Sequence, residues 1–301
     1  MVPTVPEYLS QKLSEQYGEE LRARAERGFG SRRPVTLRVN TLKSTREQVT
    51  RALENAGVHY ESVPWYEDAL ILPSFSEEEL RALPLYEEGQ VYVQGLSAMV
   101  PALALDPQKG EAVLDMAAAP GGKTTQMAAL SGGGALITAC ERNPLRAERL
   151  RFNLQRQGAG KVNVMTRDAR QLDDLFRFDK ILLDAPCTGS GTVLLLEGEP
   201  QRRMEPAWVK KTADTQRALL RKAAGLLSRG HEMVYSTCSV LREENEDAVR
   251  SLLSAGTMEL VPLDPRFEQA LPCLPVTLPG TLCVCPTELY EGFFVAKLRK
   301  R

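Results

Sequence analysis

Two cysteines stand just beyond apolar runs: Ile181-Leu182-Leu183 leads through Asp184-Ala185-Pro186 into Cys187-Thr188-Gly189-Ser190-Gly191, and Met233-Val234-Tyr235 leads into Ser236-Thr237-Cys238-Ser239. If both runs are central strands of one sheet, the thiols meet over a common crevice beside Asp184. A lone cysteine in such a place is an ordinary small hydrophobe; with Asp184 the pair becomes a chemical set. Carbon 5 of cytosine is too poor a nucleophile to take a methyl group from a sulfonium directly. A thiolate must first add to carbon 6 and push electron density onto carbon 5. A carboxylic acid near ring nitrogen 3 and the exocyclic amine stabilises the charge that develops. A base then removes the carbon 5 proton and the thiolate leaves, a step the second cysteine could assist. The residue types alone leave open which thiol attacks.

The ends of three earlier apolar runs have the residues of a nucleoside site. After Ala112 to Ala117 come Ala118-Ala119-Pro120-Gly121-Gly122-Lys123-Thr124, small residues and glycines that admit a ligand close to the backbone and to the amides opening the next helix. Gly122-Lys123-Thr124 also matches the end of a phosphate-binding P-loop, and Asp184 ends a run like that of a magnesium-binding Asp. That motif needs glycine where this chain has Ala117. The second run ends in Cys140-Glu141, placed to accept from both hydroxyls of a ribose. The third ends in Arg167-Asp168-Ala169, where an acid could receive the exocyclic amine of an adenine.

The elements that must position these residues alternate from Glu111 onward: apolar strands at 112–117, 135–140, 162–166, 180–184 and 233–236, and amphipathic helices at 123–130, 144–157 and 206–227. This pattern predicts an α/β fold with a mostly parallel, doubly wound sheet. The stretch 292–298 reads as a closing strand antiparallel to 281–284. Before Glu111 the pattern predicts a small α/β module. It has a helix over 4–27, a strand over Pro34–Asn40, a helix capped by Ser44 with Glu47 three residues on, short apolar stretches at 60–65 and 69–72, and a helix capped by Ser76. The expected division is 1–90 for this module, a bridging strand and helix to about 105, and 106–301 for the larger domain.

Bulk properties narrow the class. The chain has 301 residues, 43% hydrophobic and 26% charged, with a formal net charge of −1, as expected of a globular protein with a sizeable core. The sequence has no apolar run of roughly eighteen residues and no basic-then-apolar start, so the expectation is a cytoplasmic protein without membrane attachment. Six scattered cysteines argue against a disulfide framework. Cys283 and Cys285 lack a second close pair, and His59 and His231 are isolated, so no metal site is expected. Charge is uneven: between Leu21 and Arg51 nine Lys or Arg face only Glu26 and Glu47. Such a stretch could follow a phosphate backbone.

The set LDMAAAPGGKTTQ, ACE at 139–141, RDA at 167–169, DAPCTGSG and YSTCS, in this order, closely resembles the Nop/Sun family of RNA (cytosine-5) methyltransferases. Pro34–Asn40 resembles the family's N-terminal RNA-binding signature, Tyr92-Val93-Gln94 its bridging segment and Glu291-Gly292-Phe293-Phe294 its closing strand. The likeness covers residues 8–300. It implies a Rossmann-like class I methyltransferase sheet with a small N-terminal RNA-binding module, S-adenosylmethionine as cofactor, and RNA as substrate, ribosomal RNA ahead of transfer RNA. It also implies that Cys238 is the nucleophile and that Cys187 supports product release. Ala117, Ala118, Ala119, Pro120, Gly121, Gly122 and Lys123 would line the cofactor, Glu141 would hold its ribose, Asp168 and Ala169 its adenine, and Asp184 would lie between cofactor and target base. Arg146 matches a recurring basic position. Family members often carry a basic residue where this chain has Cys283. The target cytosine would be flipped out or unpaired, with phosphates held by Arg22 to Arg51 and by Arg146 to Arg156, and the protein would act as a monomer. Two other readings stand beside this one: a P-loop nucleotide hydrolase, and a catalytically silent RNA-binding or ribosome-assembly module.

Overall fold

The computed structural model describes residues 4–195 and 204–301. It divides into two compact units, one of Met1–Arg33, Leu183–Gly225 and Arg229–Arg301, the other of Pro34–Leu182 with Leu226–Ser228.

In the second unit, four parallel strands run in the order Phe178–Asp184, Ala112–Asp115, Leu136–Cys140, Asn163–Met165, the last two residues of the first of these belonging to the other unit. Strand Ala112–Asp115 therefore has its successors on one side and Phe178–Asp184 on the other. Its carboxyl end is the switch point at which open α/β sheets bind ligands. The helices Gly122–Leu130 and Pro144–Arg156 follow their strands directly.

The same unit holds a four-stranded antiparallel sheet in the order Glu61–Ser62, Ala69–Leu72, Val35–Val39, Val91–Val93. Strand periodicity separates its faces: Leu37, Val39, Leu70, Leu72 and Val91 enter a core with Val49, Leu53 and Leu80. The helix Arg46–Asn55 is capped by Thr45 and Gln48, one residue later than expected. Ser44 is instead buried, its Oγ 3.1 Å from Gln48 Oε1. The helix at Ser76 has the expected reciprocal cap with Glu79.

Arg38 lies on the opposite strand face and is 0% exposed. Its Nε donates to Gln94 Oε1 at 3.2 Å and its Nη2 to Thr125 Oγ1 at 3.0 Å and Gly122 O at 3.4 Å. Gln94 Nε2 donates to Gln126 Oε1 at 3.0 Å. Asn40 Nδ2 donates to Gly89 O at 2.7 Å and to Gln157 O at 2.8 Å. The polar residues of Pro34–Asn40 thus face inward. Arg38 cannot meet a phosphate, because a charge so enclosed is committed to the dipoles around it. Arg22, also counted among the phosphate-holding residues, is paired with Glu19 and Glu26.

In the first unit, antiparallel strands run in the order Cys273–Leu274, Leu282–Val284, Phe293–Lys300, Leu227–Thr237, the first two residues of the last belonging to the other unit, with Met258–Val261 also paired to Phe293–Lys300. The closing strand therefore lies antiparallel to Leu282–Val284, as the sequence predicts. The expected helix over 4–27 is two, Glu7–Tyr17 and Glu19–Phe29, because Gly18 takes φ 81°. These helices pack in this unit: Tyr17 Oη donates to Val240 O at 2.8 Å, and Lys12 pairs with Glu243 at 2.8 Å. Gly28 lies so close to Pro286 that a Cβ there would stand 2.3 Å from its carbonyl carbon. Cys283, at the family's basic position, is buried within 4.0 Å of Tyr17 Oη.

Replacing Arg38 by Ala removes three hydrogen bonds from a charged group and leaves Gln94 and Thr125 short of a partner. The expected loss of stability is about 2–4 kcal/mol, read from the urea midpoint at unchanged slope.

Candidate active site

The loop after strand Ala112–Asp115 is tied down at each end. Asp115, almost fully buried, accepts from Thr124 Oγ1 at 2.7 Å, and Ala118 N donates to Cys140 O at 2.9 Å. Ala118 and Ala119 are buried, Ala117, Gly122 and Lys123 half-buried and Pro120 exposed. Gly121 has φ 109°, and a Cβ there would stand 2.9 Å from Leu150 Cδ1, so only glycine lets the loop turn into the helix against that neighbour.

Glu141 is 4% exposed. Its Oε1 accepts from Asn143 N at 2.8 Å and its Oε2 stands 3.4 Å from Arg146 Nη1. Arg146 Nη2 also donates to Ala119 O at 2.7 Å, and Asn153 Nδ2 donates to Pro120 O at 2.8 Å. Arg146 is therefore a brace between the glycine-rich loop and the buried carboxylate. Asp168 caps a short turn, and its carboxylate accepts from Arg170 N at 2.9 Å, Nε at 3.1 Å and Nη2 at 2.6 Å. Those bonds from Arg170 hold its pKa below the usual carboxylate range. Ala169 is buried in the same turn. A cleft of about 550 Å³ opens here, lined by Asn143, Pro144, Thr166, Asp168 and Gln171 among others. Asp168 stands on the wall of this cleft, and Glu141 immediately precedes its lining residue Arg142.

In the first unit the two sulfurs meet: Cys187 Sγ and Cys238 Sγ are 3.1 Å apart, each half-buried. Asp184 Oδ1 accepts from Ser236 Oγ at 2.7 Å, and Ala185 N donates to Ser236 O at 2.8 Å. The two segments continue side by side, with Gly191 N donating to Cys238 O at 3.0 Å. Gly292 N donates to Gly191 O at 2.8 Å, and a Cβ on Gly191 would lie 2.1 Å from Gly292 O. The glycines of the two motifs thus pass backbone against backbone.

Beneath the thiols lies a residue that motif reading missed. Glu244, 0% exposed, accepts at Oε1 from Thr188 N at 2.9 Å and Gln216 Nε2 at 3.3 Å, and at Oε2 from Thr188 Oγ1 and Ser239 Oγ, both at 2.6 Å. Burial raises its pKa against the pull of these bonds. Asn245 Nδ2 donates to Ser239 O at 2.9 Å. In the sequence, Arg242-Glu243-Glu244-Asn245-Glu246 reads as a solvated, acidic helix start. Nothing in its composition marks one glutamate as interior.

The contact acts on the proton affinity of Cys187. The Cys187 thiol is pushed well up, first by its hydrogen bond to Cys238, then by burial, with the charges of Cys238 and Glu244 adding to it. Either sulfur can be the donor in this contact. Burial also pushes Cys140 up to about 12 and Cys273 and Cys285 up to about 11, and it raises Cys283. Those four are packing residues. Among the described residues no cluster of metal-binding side chains occurs and no helix is long and apolar enough to cross a membrane.

Sheet order and strand-end loops define a Rossmann-like methyltransferase fold. The family model for 16S rRNA methyltransferase RsmB/F matches residues 102–299, and that for the ferredoxin-like domain of RsmF/B-like methyltransferases matches 5–77. The chain belongs to this RsmB/F family, of the Nop/Sun type, which sets aside the P-loop alternative. It is 36% identical over 277 residues to ribosomal RNA small subunit methyltransferase F of Shewanella piezotolerans, covering 88% of this chain and 57% of that protein. It is 36% identical over 283 residues to the human 28S rRNA (cytosine(4447)-C(5))-methyltransferase, covering 89% and 34%. The chain thus spans about half the length, or less, of these relatives. Among solved structures, a methyltransferase homolog protein from Pyrococcus horikoshii superposes with TM-score 0.84 at 32% identity, covering 99% of this chain and 100% of that one. NSun6 from the same organism, solved with SFG, gives 0.87 at 26%, covering 100% and 99%.

Because the bond to Cys238 is the first cause of the raised Cys187 pKa, Cys238→Ala should lower it. The pH midpoint for alkylation of Cys187 by iodoacetamide is expected to move to lower pH, while remaining above that of a free thiol because burial persists. An unmoved midpoint would mean that the sulfurs do not share a proton.

Proposed function

We propose that this protein methylates carbon 5 of a cytosine in RNA, with S-adenosylmethionine as donor and Cys238 as nucleophile. The observation that carries this reading is the sulfur pair, with Cys187 Sγ and Cys238 Sγ 3.1 Å apart on the loops that also hold Asp184 against Ser236. A hydrogen bond between two thiols lets either one stabilise negative charge on the other, and the resemblance to the Nop/Sun family assigns the attack to Cys238. It adds to carbon 6 of the base, a C–S bond forms, and the π pair shifts toward carbon 5. Asp184, oriented by Ser236, supports charge at ring nitrogen 3 and the exocyclic amine. Once carbon 5 has taken the methyl group, a base removes the proton it still carries, the electron pair returns to the ring and the C–S bond to Cys238 breaks, with Cys187 supporting that release.

The cofactor supplies the electrophilic methyl group. Glu141 would hold its ribose hydroxyls, Asp168 and Ala169 its adenine, and Ala117, Ala118, Ala119, Pro120, Gly121, Gly122 and Lys123 would line it. Support comes from the cleft at Asp168 and from the bond of Arg146 to Ala119 O beside Glu141. The Pyrococcus NSun6 relative was solved with SFG, an analogue of this donor. Ribosomal RNA is the proposed substrate, since the Shewanella and human relatives both carry rRNA in their names. With Arg38 interior, the phosphates fall to exposed cations such as Arg24, Arg27, Arg32, Arg51 and Arg149.

Cys238→Ala is expected to reduce methyl transfer on the order of 10⁴-fold or more, as loss of a nucleophile does. Cys187→Ala should accumulate a denaturation-stable protein–RNA adduct. The opposite pattern would exchange the roles of the thiols. Bisulfite sequencing of RNA with and without the active protein identifies the cytosine, and no change in either RNA class would leave a catalytically silent module. By calorimetry, Glu141→Ala should weaken adenosylmethionine about 10- to 100-fold, the worth of hydrogen bonds to a charged group, and unchanged affinity would remove Glu141 from the ribose.

A further inference from the structure

Each reacting thiol is followed in sequence by a hydroxyl side chain, Thr188 after Cys187 and Ser239 after Cys238. Both hydroxyls converge on one carboxylate oxygen, Glu244 Oε2, at 2.6 Å each. The other oxygen takes the backbone N–H of Thr188 at 2.9 Å and Gln216 Nε2 at 3.3 Å, and Gln216 Nε2 also reaches Pro186 O at 3.0 Å. A second tie runs between the same loops, Ser190 Oγ to Ser239 Oγ at 2.8 Å. Glu244 is itself anchored, because Tyr235 Oη donates to its carbonyl at 2.5 Å. A buried anion tolerates little movement of its donors, since each lost bond leaves charge unpaired in an apolar surrounding.

We propose that Glu244 is the positioning residue of the thiol pair: it clips the loop of Cys187 to the loop of Cys238 and so sets the separation of the two sulfurs. It does not touch the base. The assignment of a catalytic consequence rests on the proposed methylation, whereas the geometric claim does not. Glutamine is the informative replacement. Its carbonyl oxygen can take the Thr188 N–H and its amide can donate to the two hydroxyls, so both loops stay tied; alanine ties neither.

The test uses the full reduced chain treated with diamide, which accepts two electrons and two protons as Cys187 and Cys238 join in a disulfide. The rate is read by mass spectrometry. Relative to wild type, Glu244→Ala should slow closure about tenfold or more and Glu244→Gln by no more than about threefold, as expected when an intramolecular reaction loses preorganisation. Alkylation of the interior Cys140 and Cys283 reports general loosening and should stay slow in both. If Glu244→Ala does not fold, Thr188→Val, which cuts one tie, should slow closure about threefold. For methyl transfer, Glu244→Ala should lower kcat with little change in KM for RNA, and Glu244→Gln should recover most of it. Closure in Glu244→Ala at the wild-type rate, or in Glu244→Gln as slow as in Glu244→Ala, overturns the clip. If closure rates follow the proposal while the wild-type chain methylates no RNA, the function fails and the clip stands.

Discussion

A carboxylate removed from water must be surrounded by donors, and Glu244 meets that condition by drawing two separate loops onto itself. Two of its donors, Thr188 and Ser239, are the immediate successors of the two half-buried cysteines. The desolvation cost of the anion is offset only if both loops hold their places. The sulfur contact, the backbone crossing of Gly191 and Gly292, and the seat of Asp184 against Ser236 all lie within the frame those loops make. A local electrostatic requirement thus becomes a geometric one for the chemistry above it.

The second unit is organised around a buried charge of the other sign. Arg38 leaves the four-stranded sheet and ends among Gln94, Thr125 and the carbonyl of Gly122, at the start of the helix that follows the glycine-rich loop. Asn40 similarly spans Gly89 and Gln157. The antiparallel sheet is thereby fastened to the parallel one through polar groups that would be costly to leave unpaired. A motif that reads as a basic, RNA-facing signature serves as internal scaffolding. In the proposed function the phosphates fall to exposed cations elsewhere.

Glu141 and Asp168 show how differently two strand-end acids can be treated. Glu141 is enclosed, with one oxygen on a backbone amide and the other facing Arg146. Asp168 sits at the wall of an open cleft, with Arg170 folded over it. The first is a fixed acceptor. The second must exchange part of its arginine contact for any ligand amine it receives.

Much was legible without coordinates. The alternation of apolar runs and amphipathic helices from Glu111 onward determines a doubly wound sheet, because each element has to bury one face. The residues following those runs are the ones found at strand ends, since a strand fixes where its carboxyl end falls. The double-cysteine signature likewise marked two loops whose sulfurs meet. What the sequence could not determine depends on partners distant along the chain. Gly18 divides a helix that the apolar pattern would continue, and Thr45 caps where Ser44 is equally suited, because Ser44 is taken into the interior. Cys187 and Cys238 read alike as residues, and only the tertiary structure brings their sulfurs, 51 positions apart, to 3.1 Å and pushes the Cys187 thiol up. Glu244 and Arg38 look like surface charges because charge normally lies in water. Whether a charge is buried depends on the donors and acceptors that folding brings around it, and no local pattern records them.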